Sequence, residues 1–331
     1  MKDLYRLNKI AFNYENNFFV NDLNLKIYKS KITSITGPNG SGKTTLLNIL
    51  SFLNYPCGGD IFYNNIELTK DNIKKFRNTV GYVQQNPYLF RGTVYKNIEI
   101  GLKLKHIAYK KRAQRVKKML KLLRIEHLSE RLTSSLSGGE VKKVAIGQTM
   151  ILEPDVLIMD EPFANLDKNS VYELEELISF LNVKFDKTVI FTTHDQVQAQ
   201  KLTNIIYSFV EGKLFFANLI NLFKGKFDEF TNKFDTGKQL IIIYDGLKKV
   251  DYVAIDPKQI VLSLEKLDSS MQNSFFGRII TMEDNDNNVR LNIDIGEKIQ
   301  AIITRKAFSE LKLSLNMYVW VSFKSTSVMT F

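Results

Sequence analysis

Nine consecutive residues have the types and spacing of a phosphate-binding loop. They are Gly37, Pro38, Asn39, Gly40, Ser41, Gly42, Lys43, Thr44 and Thr45. The spacing G-x-x-x-x-G-K-T follows a β-branched run predicted to be a strand (31–36) and opens an apolar run predicted to be a helix (45–53). Such a turn directs backbone N–H groups and a helix N-terminus towards one anion. We expect Lys43 to reach the β- and γ-phosphates of a nucleotide and the Thr44 hydroxyl to hold Mg²⁺. The full spacing disfavours the alternative, a glycine turn that binds nothing.

Two acidic residues follow a second apolar run. Residues 156–159 are apolar and bounded by turn signals, which is typical of a buried parallel strand, and Asp160 and Glu161 come directly after them. Open α/β sheets bind their ligands at this edge. His194 follows another predicted strand, residues 188–193. The alternatives are a solvated turn or a helix-capping pair for the two acids and a structural role for the histidine.

The order of the predicted elements indicates two domains. Strands alternate with helices over residues 1–225, which favours an α/β fold with a mostly parallel, nucleotide-binding core. Residues 86–135 are predicted to form a helical subdomain inside it, with Thr93 as an N-cap. Residues 226–238 are polar and rich in turn formers, so we predict a connector there. The remainder, residues 239–331, alternates short β-branched runs with turns and is predicted to be a small, mainly β domain.

Composition and charge restrict the classes of protein. The 331 residues include one cysteine, Cys57, which excludes an intrachain disulfide and favours a reducing, cytosolic setting. The sequence contains no run of 18 apolar residues, so no membrane span is predicted. The N-terminus also lacks the apolar core of a signal peptide. The net charge is +11, and residues 103–124 hold ten Lys or Arg and no Asp or Glu. A solvated helical face is the default interpretation of that segment, and a surface for anionic headgroups or an acidic partner is the alternative.

Residues 1–220 resemble the nucleotide-binding subunit of ABC transporters. The motifs that carry the resemblance occur in the order of the family: the phosphate-binding loop, Gln85 at the end of VGYVQQ, LSGGE at 136–140, VLIMDEP at 156–162, Asp167 in ANLD and His194 in TTHD. The resemblance implies a P-loop NTPase fold with ATP and Mg²⁺ as cofactors. It also implies that hydrolysis depends mainly on positioning and charge stabilisation.

Each motif residue then has an implied role. Asp160 would hold Mg²⁺ directly or through water, and Glu161 would be the general base that aligns the attacking water. His194 would contact the γ-phosphate and orient Glu161. Gln85 would sense Mg²⁺ and couple the helical subdomain to the state of the nucleotide. Tyr14 would stack on adenine, with plain packing as its alternative.

The LSGGE segment is expected to act on a second copy of the chain. In the family this signature closes the site of the partner subunit across a head-to-tail dimer, and its N–H groups stabilise the charge of the γ-phosphate. Asp167 would lie at the dimer seam. The signature residues are Ser137, Gly138, Gly139 and Glu140, the last standing where the family usually has Gln.

The C-terminal residues 269–331 resemble an oxyanion-binding Mop (molbindin-type) domain, which has an OB-like TOBE fold. Residues 254–263 resemble the segment that precedes this domain in molybdate and tungstate import ATPases. Met271 and Gln272 replace the Ala-Arg of the family, so a cation is missing, and a dimerisation module that binds no oxyanion is the alternative. The possible donors to a dianion are Ser270, Asn273, Lys324, Ser325 and Thr326.

Together these resemblances predict the ATPase subunit of an importer for tungstate or molybdate. We expect a homodimer that docks on integral-membrane permease subunits through residues 85–135, at the cytoplasmic face of the cell membrane. An extracytoplasmic oxyanion-binding protein would deliver the substrate. Import of sulfate, sugar or iron is one alternative. A soluble ABC ATPase that acts on nucleic acid is another, but a single cassette without a long coiled-coil insertion disfavours it, so no nucleic acid is expected as a partner.

Overall fold

The computed structural model describes residues 2–14, 17–210, 212–215, 221–244, 250–285 and 288–330, without the side chains of residues 14, 17–19, 21, 197 and 285. The chain divides into two compact units, Met1–Asn218 and Leu219–Phe331. None of the helices in the described ranges has the length and apolarity that a bilayer crossing requires.

The first unit alternates strands and helices along the chain. Its described strands are β1 (Asp3–Tyr14), β2 (Asn17–Tyr28), β3 (Ile32–Thr36), β4 (Gly58–Tyr63), β5 (Ile66–Glu67), β6 (Val80–Val83), β7 (Val156–Met159), β8 (Thr188–Thr193), β9 (Ile206–Val210) and β10 (Lys213–Phe215). Its described helices are α1 (Lys43–Leu50), α2 (Ile73–Arg77), α3 (Val94–Leu104), α4 (Tyr109–Leu122), α5 (Gly138–Met150), α6 (Lys168–Phe185) and α7 (Gln196–Leu202).

A mostly parallel sheet forms the centre of this unit. Its strand order is β10-β9-β3-β8-β7-β6, in which β10 alone of the described strands runs antiparallel to its neighbour. Every residue of β3, β7 and β8 is buried, as expected for parallel strands covered on both faces. The C-terminal ends of β3, β7 and β8 therefore lie side by side at one edge of the sheet.

A second, antiparallel sheet of the first unit has the order β2-β1-β4-β5. Its apolar face shares a core with the central sheet and α1, in which the rings of Tyr5, Phe52, Tyr63 and Phe76 contact one another at centroid separations of 4.8–5.8 Å. This packing fixes α1 behind the loop that follows β3.

The predicted helical subdomain contains α3, α4 and two 3-10 turns, Glu126–Leu128 and Thr133–Ser135. Thr93 caps α3, as predicted, because its hydroxyl accepts a hydrogen bond from Lys96 N at 3.3 Å. Apolar residues of α3, α4 and α5 pack into one cluster with those of α6 and the central sheet. This cluster connects the helical region to the edge that carries the acids.

The second unit is mainly β. Its described elements are β11 (Leu222–Lys224), β12 (Lys226–Asp228), β13 (Lys233–Asp235), β14 (Leu240–Ile242), β15 (Tyr252–Ile255), β16 (Val261–Ser263), β17 (Asn273–Asn285), β18 (Asn288–Asp294), β19 (Lys298–Thr304), α8 (Arg305–Glu310), β20 (Tyr318–Phe323) and β21 (Val328–Thr330). The largest of its sheets has the antiparallel order β16-β20-β17-β18-β19.

Two predicted boundaries differ from the structure. The units divide after Asn218, earlier than the predicted end at residue 225. Residues 226–238, predicted to be a connector, include β12 and β13, which pair with each other and with β14. Their polar composition is that of short, largely exposed strands, and the buried Phe234 ties them to the core of the second unit.

Candidate active site

The loop between β3 and α1 is shaped by its glycines. Gly42 precedes α1 in the left-handed region at φ 102°, and the helix begins without a side-chain cap, so its first N–H groups are left for an external acceptor. Gly37 has φ 156°, and a Cβ at this position would lie 2.2 Å from Phe209 O. The predicted strand–loop–helix context of the phosphate-binding motif is thus present.

Lys43 is folded back over this loop. Its Nζ donates to Gly37 O at 3.0 Å and Pro38 O at 3.1 Å, and it lies 3.3 Å from Glu161 Oε1. The side chains of Lys43 and Glu161 are only 7% and 9% exposed, so the pair is largely desolvated. The ammonium group therefore links the loop to the predicted catalytic acid.

Asp160 lies between two hydroxyl groups. Thr44 Oγ1 donates to Asp160 Oδ2 at 2.7 Å, and Thr192 Oγ1 donates to Asp160 Oδ1 at 2.6 Å. Burial and the negative charge of Asp160 raise the pKa of Tyr82, which keeps this neighbouring phenol protonated. The carboxylate is thus fixed next to the residue predicted to share Mg²⁺ with it.

Glu161 has an unusual backbone for a residue other than glycine, with φ 40°. Its N–H donates to Thr192 Oγ1 at 2.9 Å, which stabilises this conformation. Its Oε2 shares a hydrogen bond with His194 Nδ1 at 3.0 Å. The His194 side chain is 63% exposed, so it connects the buried acid to solvent.

Two further residues of this site, Thr192 and Lys142, were not predicted from the sequence. Thr192, the last residue but one of β8, holds both acids, and its position in a polar Thr-Thr-His-Asp strand end was the available signal. Lys142 is buried in α5, and its Nζ donates to the main-chain carbonyl of Gln85. Burial lowers the pKa of Lys142, while the charges of Asp160 and Glu161 act in the opposite direction. In the sequence, a lysine in a predicted helix is expected to be exposed to solvent, so this buried contact could not be predicted.

Gln85 lies two residues beyond β6, next to the acids, because Asp160 N donates to Val83 O at 2.9 Å. Its side chain is exposed, and within the described residues it makes no hydrogen bond to Thr44 or Asp160. The proposed contact of Gln85 with Mg²⁺ therefore stays a prediction. The side chain of Tyr14 lies outside the described part of the chain, so its stacking on adenine also stays a prediction.

The signature segment begins α5 with a capping box. Ser137 Oγ accepts from Glu140 N at 3.3 Å, and Glu140 Oε2 accepts from Ser137 N at 2.7 Å. Burial acts to raise the pKa of Glu140, but the hydrogen bonds from Ser137 and the charge of Arg131 outweigh it and hold the pKa below its ordinary value. Gly138 and Gly139, the first two residues of the helix, follow the cap.

Asp167 has a role within its own chain. It caps α6 by accepting from Asn169 N and Ser170 N, both at 3.0 Å, and from Ser170 Oγ at 2.6 Å. The Ser170 hydroxyl is the main cause of its lowered pKa. Its place at a dimer seam stays a prediction.

The possible oxyanion residues of the second unit follow two paired strand ends. Asn273 lies opposite Phe323 in the β17–β20 pair, so residues 270–272 and 324–326 extend from the same end. Asn273 itself is 1% exposed. Its Oδ1 accepts a hydrogen bond from Ile242 N at 2.7 Å, and its Nδ2 donates to Ile242 O at 2.8 Å. The side chain of Asn273 therefore joins two segments of the second unit, and the prediction that it donates to an anion is wrong. Ser270, Lys324 and Thr326 are exposed, and Ser325 is buried.

Comparison with known proteins places this geometry in a family. The ABC transporter family profile matches residues 20–164, and the TOBE domain profile matches residues 269–330. The molybdate/tungstate import ATP-binding protein WtpC of Pyrococcus abyssi is 31% identical over 347 aligned positions, covering 99% of this chain and 100% of that protein. The chain belongs to the ABC transporter family. It is an ATP-binding subunit, an ABC ATPase with a C-terminal TOBE domain.

Solved structures agree with this assignment. The ABC ATPase is 30% identical to CbiO1 from Clostridium perfringens, part of an ABC transporter complex, with a TM-score of 0.62 over 65% of this chain and 88% of that one. A dimeric ATP-binding cassette in a post-hydrolysis state, bound to ADP and Pi, is 28% identical, with a TM-score of 0.56 over 63% and 96%. The predicted α/β P-loop core and small β C-terminal domain are confirmed.

Proposed function

We propose that this ABC ATPase hydrolyses ATP to drive the uptake of an oxyanion, molybdate or tungstate. The observation that supports hydrolysis is the convergence of Lys43, Glu161 and His194 at the edge where Asp160 meets Thr44. All of these side chains follow β3, β7 or β8 directly or after one loop. Catalytic groups thus face the helix N-terminus that would hold the phosphates.

Glu161 acts as the general base in this proposal. Its Oε2 lies against His194 and its Oε1 against Lys43, so the carboxylate is oriented from both sides. A carboxylate in this position accepts a proton from water that attacks the γ-phosphate, and His194 holds it in place. Lys43 exchanges its contacts with Gly37 O and Pro38 O for phosphate oxygens when the nucleotide binds.

Thr44 and Asp160 fit Mg²⁺. A hydroxyl and a carboxylate oxygen 2.7 Å apart are hard ligands at the phosphate cradle. Across the described ranges, this site included, no group of three or more His, Cys, Asp or Glu side chains could hold a metal ion. Mg²⁺ suits a site of this kind, since it takes few protein ligands beside phosphates and water. Bound there, the ion would neutralise charge on the β- and γ-phosphate oxygens.

Two copies are proposed to pair head to tail, so that the Ser137–Glu140 segment of one faces the phosphates held by the other. The dimeric cassette with ADP and Pi supports this arrangement. Gly138 and Gly139 begin α5 behind the Ser137 cap, which presents their N–H groups at the positive end of the helix. Asp167 at the start of α6 is proposed to lie at the seam.

The permease is proposed to dock on residues 85–135, at the cytoplasmic face of the membrane. Two exposed aromatic side chains support this surface. Tyr88 and Phe90 are 73% and 48% exposed and contact each other edge to face at 5.6 Å. Exposed rings of this kind are enriched at protein interfaces. Gln85, just before them, would report the docking to the nucleotide site.

The substrate assignment is supported by the relative that spans the whole chain, a molybdate/tungstate import protein that shares both domains. An extracytoplasmic oxyanion-binding protein is proposed to select the anion. Ser270, Lys324, Ser325 and Thr326 are the proposed donors if the TOBE domain also senses it. The exposed Lys324, which follows the paired strand end, is proposed to supply the positive charge that Gln272 lacks.

Two measurements test the proposal. Glu161→Gln should lower ATP turnover by at least ~100-fold, because the general base is lost while the side-chain shape is kept. ATP binding should persist, and Glu67→Gln, an exposed acid of β5, serves as the control. Turnover close to that of the wild type in Glu161→Gln contradicts the assignment of the base.

For the substrate, the ATPase is reconstituted with its permease and receptor, and the uptake of labelled molybdate, tungstate and sulfate is compared. Uptake of molybdate or tungstate that requires Glu161 supports the proposal. Uptake of sulfate alone, or of none of the three anions by a complex that hydrolyses ATP, overturns the substrate and leaves the ATPase assignment standing.

A further inference from the structure

The segment 103–124 carries most of the net positive charge of the chain. It holds ten Lys or Arg and no Asp or Glu, against a total of +11. In the structure it comprises the end of α3, a turn at His106 with φ 54°, the whole of α4 and the turn after it. The charge is therefore concentrated on one helical hairpin.

The lysines of α4 lie on a single face. Lys110, Lys111, Lys117, Lys118 and Lys121 follow the spacing of 3.6 residues per turn, and all are exposed. The opposite face packs Val116 and Leu120 into the core. With about 1.5 Å of rise per residue, the basic stripe from Lys110 to Lys121 is roughly 17 Å long.

The arginines of the segment have carboxylate partners, and its lysines have none among the residues that the structure describes. Arg112 pairs with Glu99 at 2.8 Å, Arg115 pairs with Glu153, and Arg124 lies 3.5 Å from Glu176. These contacts fix α4 to α3 and to the rest of the first unit. Across the described ranges no ion pair involves a lysine of this segment: Lys103, Lys105, Lys110, Lys111, Lys117, Lys118 or Lys121.

Two large apolar side chains stand within this charge. Leu104, the last residue of α3, is 74% exposed, and Tyr109, the first residue of α4, is 70% exposed. The described contacts of the hairpin leave both outside its core. An exposed leucine beside a tyrosine is a combination that favours the boundary between headgroups and acyl chains.

We propose that these seven lysines, with Leu104 and Tyr109, bind the anionic headgroups of a lipid bilayer. We call this surface the basic face. Each lysine near an anionic leaflet adds its own favourable electrostatic contribution to the free energy of membrane binding. The attraction extends over about one Debye length, roughly 8 Å at physiological salt. The aliphatic Leu104 favours a bilayer over nucleic acid, because a phosphate backbone offers it no apolar contact. The inference depends on the hairpin alone and on no assignment of substrate.

The basic face lies within residues 85–135, the region proposed for permease docking, so it would hold the ATPase at the membrane surface before the permease binds. Such binding is weak and reversible, because salt screens the attraction between lysines and headgroups and the apolar contact is limited to two side chains. It would raise the local concentration of the subunit where its partner lies and restrict the orientation in which the two meet.

Vesicle flotation with the full-length protein tests the proposal. Vesicles of phosphatidylcholine alone are compared with vesicles that also contain phosphatidylglycerol, without nucleotide or permease. We expect binding to the anionic vesicles only, lost at high salt. The triple variant Lys110→Gln/Lys117→Gln/Lys118→Gln should reduce the partition coefficient on the order of 100-fold. Lys70→Gln/Lys74→Gln/Lys75→Gln, an equal loss of exposed charge in the same unit, should reduce it far less.

A second variant separates lipid from other anions. Leu104→Ser/Tyr109→Ser keeps every charge and should weaken binding to anionic vesicles while leaving binding to duplex DNA unchanged. Equal loss in the two lysine triples shows a diffuse charge effect and overturns the proposal. No binding to anionic vesicles overturns it as well, and so does DNA binding that exceeds vesicle binding at the same salt. Circular dichroism and ATP turnover of each variant confirm that it is folded.

Discussion

Two helices of the ATPase core begin in segments that the family associates with phosphate, and they begin differently. At α1 the left-handed Gly42 leaves the first turn without a side-chain cap. At α5 a reciprocal capping box between Ser137 and Glu140 satisfies the first donors from within the chain. The loop at α1 is held instead by Lys43, which reaches across to Glu161. The start of α1 therefore depends on the contact of an ammonium group with a carboxylate, and the start of α5 depends on hydrogen bonds between its own cap residues.

The difference bears on what each start can bind. The N–H donors at the start of α1 have no side-chain cap, so a phosphate group could accept from them without displacing a capping side chain. At α5 the box commits the N–H groups of Ser137 and Glu140, so Gly138 and Gly139 carry whatever donors remain. We infer that the start of α5 is a stable capped helix end with only the N–H groups of Gly138 and Gly139 left for a ligand. The start of α1, in contrast, leaves its whole first turn of N–H groups for phosphate.

Removing the cation of α1 should have the largest effect. Lys43→Met leaves Glu161 without its buried counter-charge and should lower the free energy of unfolding by about 3–5 kcal/mol. Urea denaturation measures this change. The double variant Lys43→Met/Glu161→Gln should recover most of the loss, since no unpaired charge remains. If the single and double variants are equally stable, the 3.3 Å contact is not an energetically significant ion pair.

The glycines of the two starts should respond in opposite directions. Gly37→Ala places a methyl group 2.2 Å from Phe209 O at φ 156°, and should cost about 3 kcal/mol or more. The Cβ of Gly138→Ala meets Leu166 Cδ2 at 3.6 Å and Asn165 O at 3.9 Å, both ordinary contacts, so the better helix former should gain up to about 1 kcal/mol. Thermal melts of both variants measure this. Similar losses at both positions would show that the α5 start is as constrained as the loop.

Local spacing predicted the loop and the acid pair, because each motif lies at the end of a strand whose burial pattern is visible in the sequence, and the resemblance to the family added His194. Thr192 and Lys142 were out of reach, since their partners, Asp160 and Gln85, are distant along the chain and come close only in the folded sheet. The role of Asn273 was mistaken for the same reason. An asparagine at a strand end suggests a free donor, and only the fold brings the backbone of Ile242 against it.

The cap of α5 should contribute a smaller amount. Ser137→Ala removes the acceptor for Glu140 N and should lower the free energy of unfolding by about 1 kcal/mol. Ser137→Asn keeps a capping oxygen and should restore most of it, and chemical denaturation distinguishes the two. Thr93→Ala at the start of α3 calibrates the loss at an ordinary N-cap of the same chain. A Ser137→Ala loss well below that of Thr93→Ala would argue against the box as a stable element.

The charge of the box should have the smallest effect, and it depends on pH. Glu140→Gln retains an acceptor for Ser137 N but loses the negative charge at the helix start, a change of about 0.5 kcal/mol. The pKa of Glu140 is lowered in the folded protein, so its contribution is present above the pKa of the unfolded chain and is lost as pH falls through the folded pKa. The difference in unfolding free energy between wild type and Glu140→Gln should therefore be greatest near neutral pH and vanish in acid. A difference that does not change with pH would assign the effect to hydrogen-bond geometry, and charge would then contribute at the α1 start but not at the α5 start.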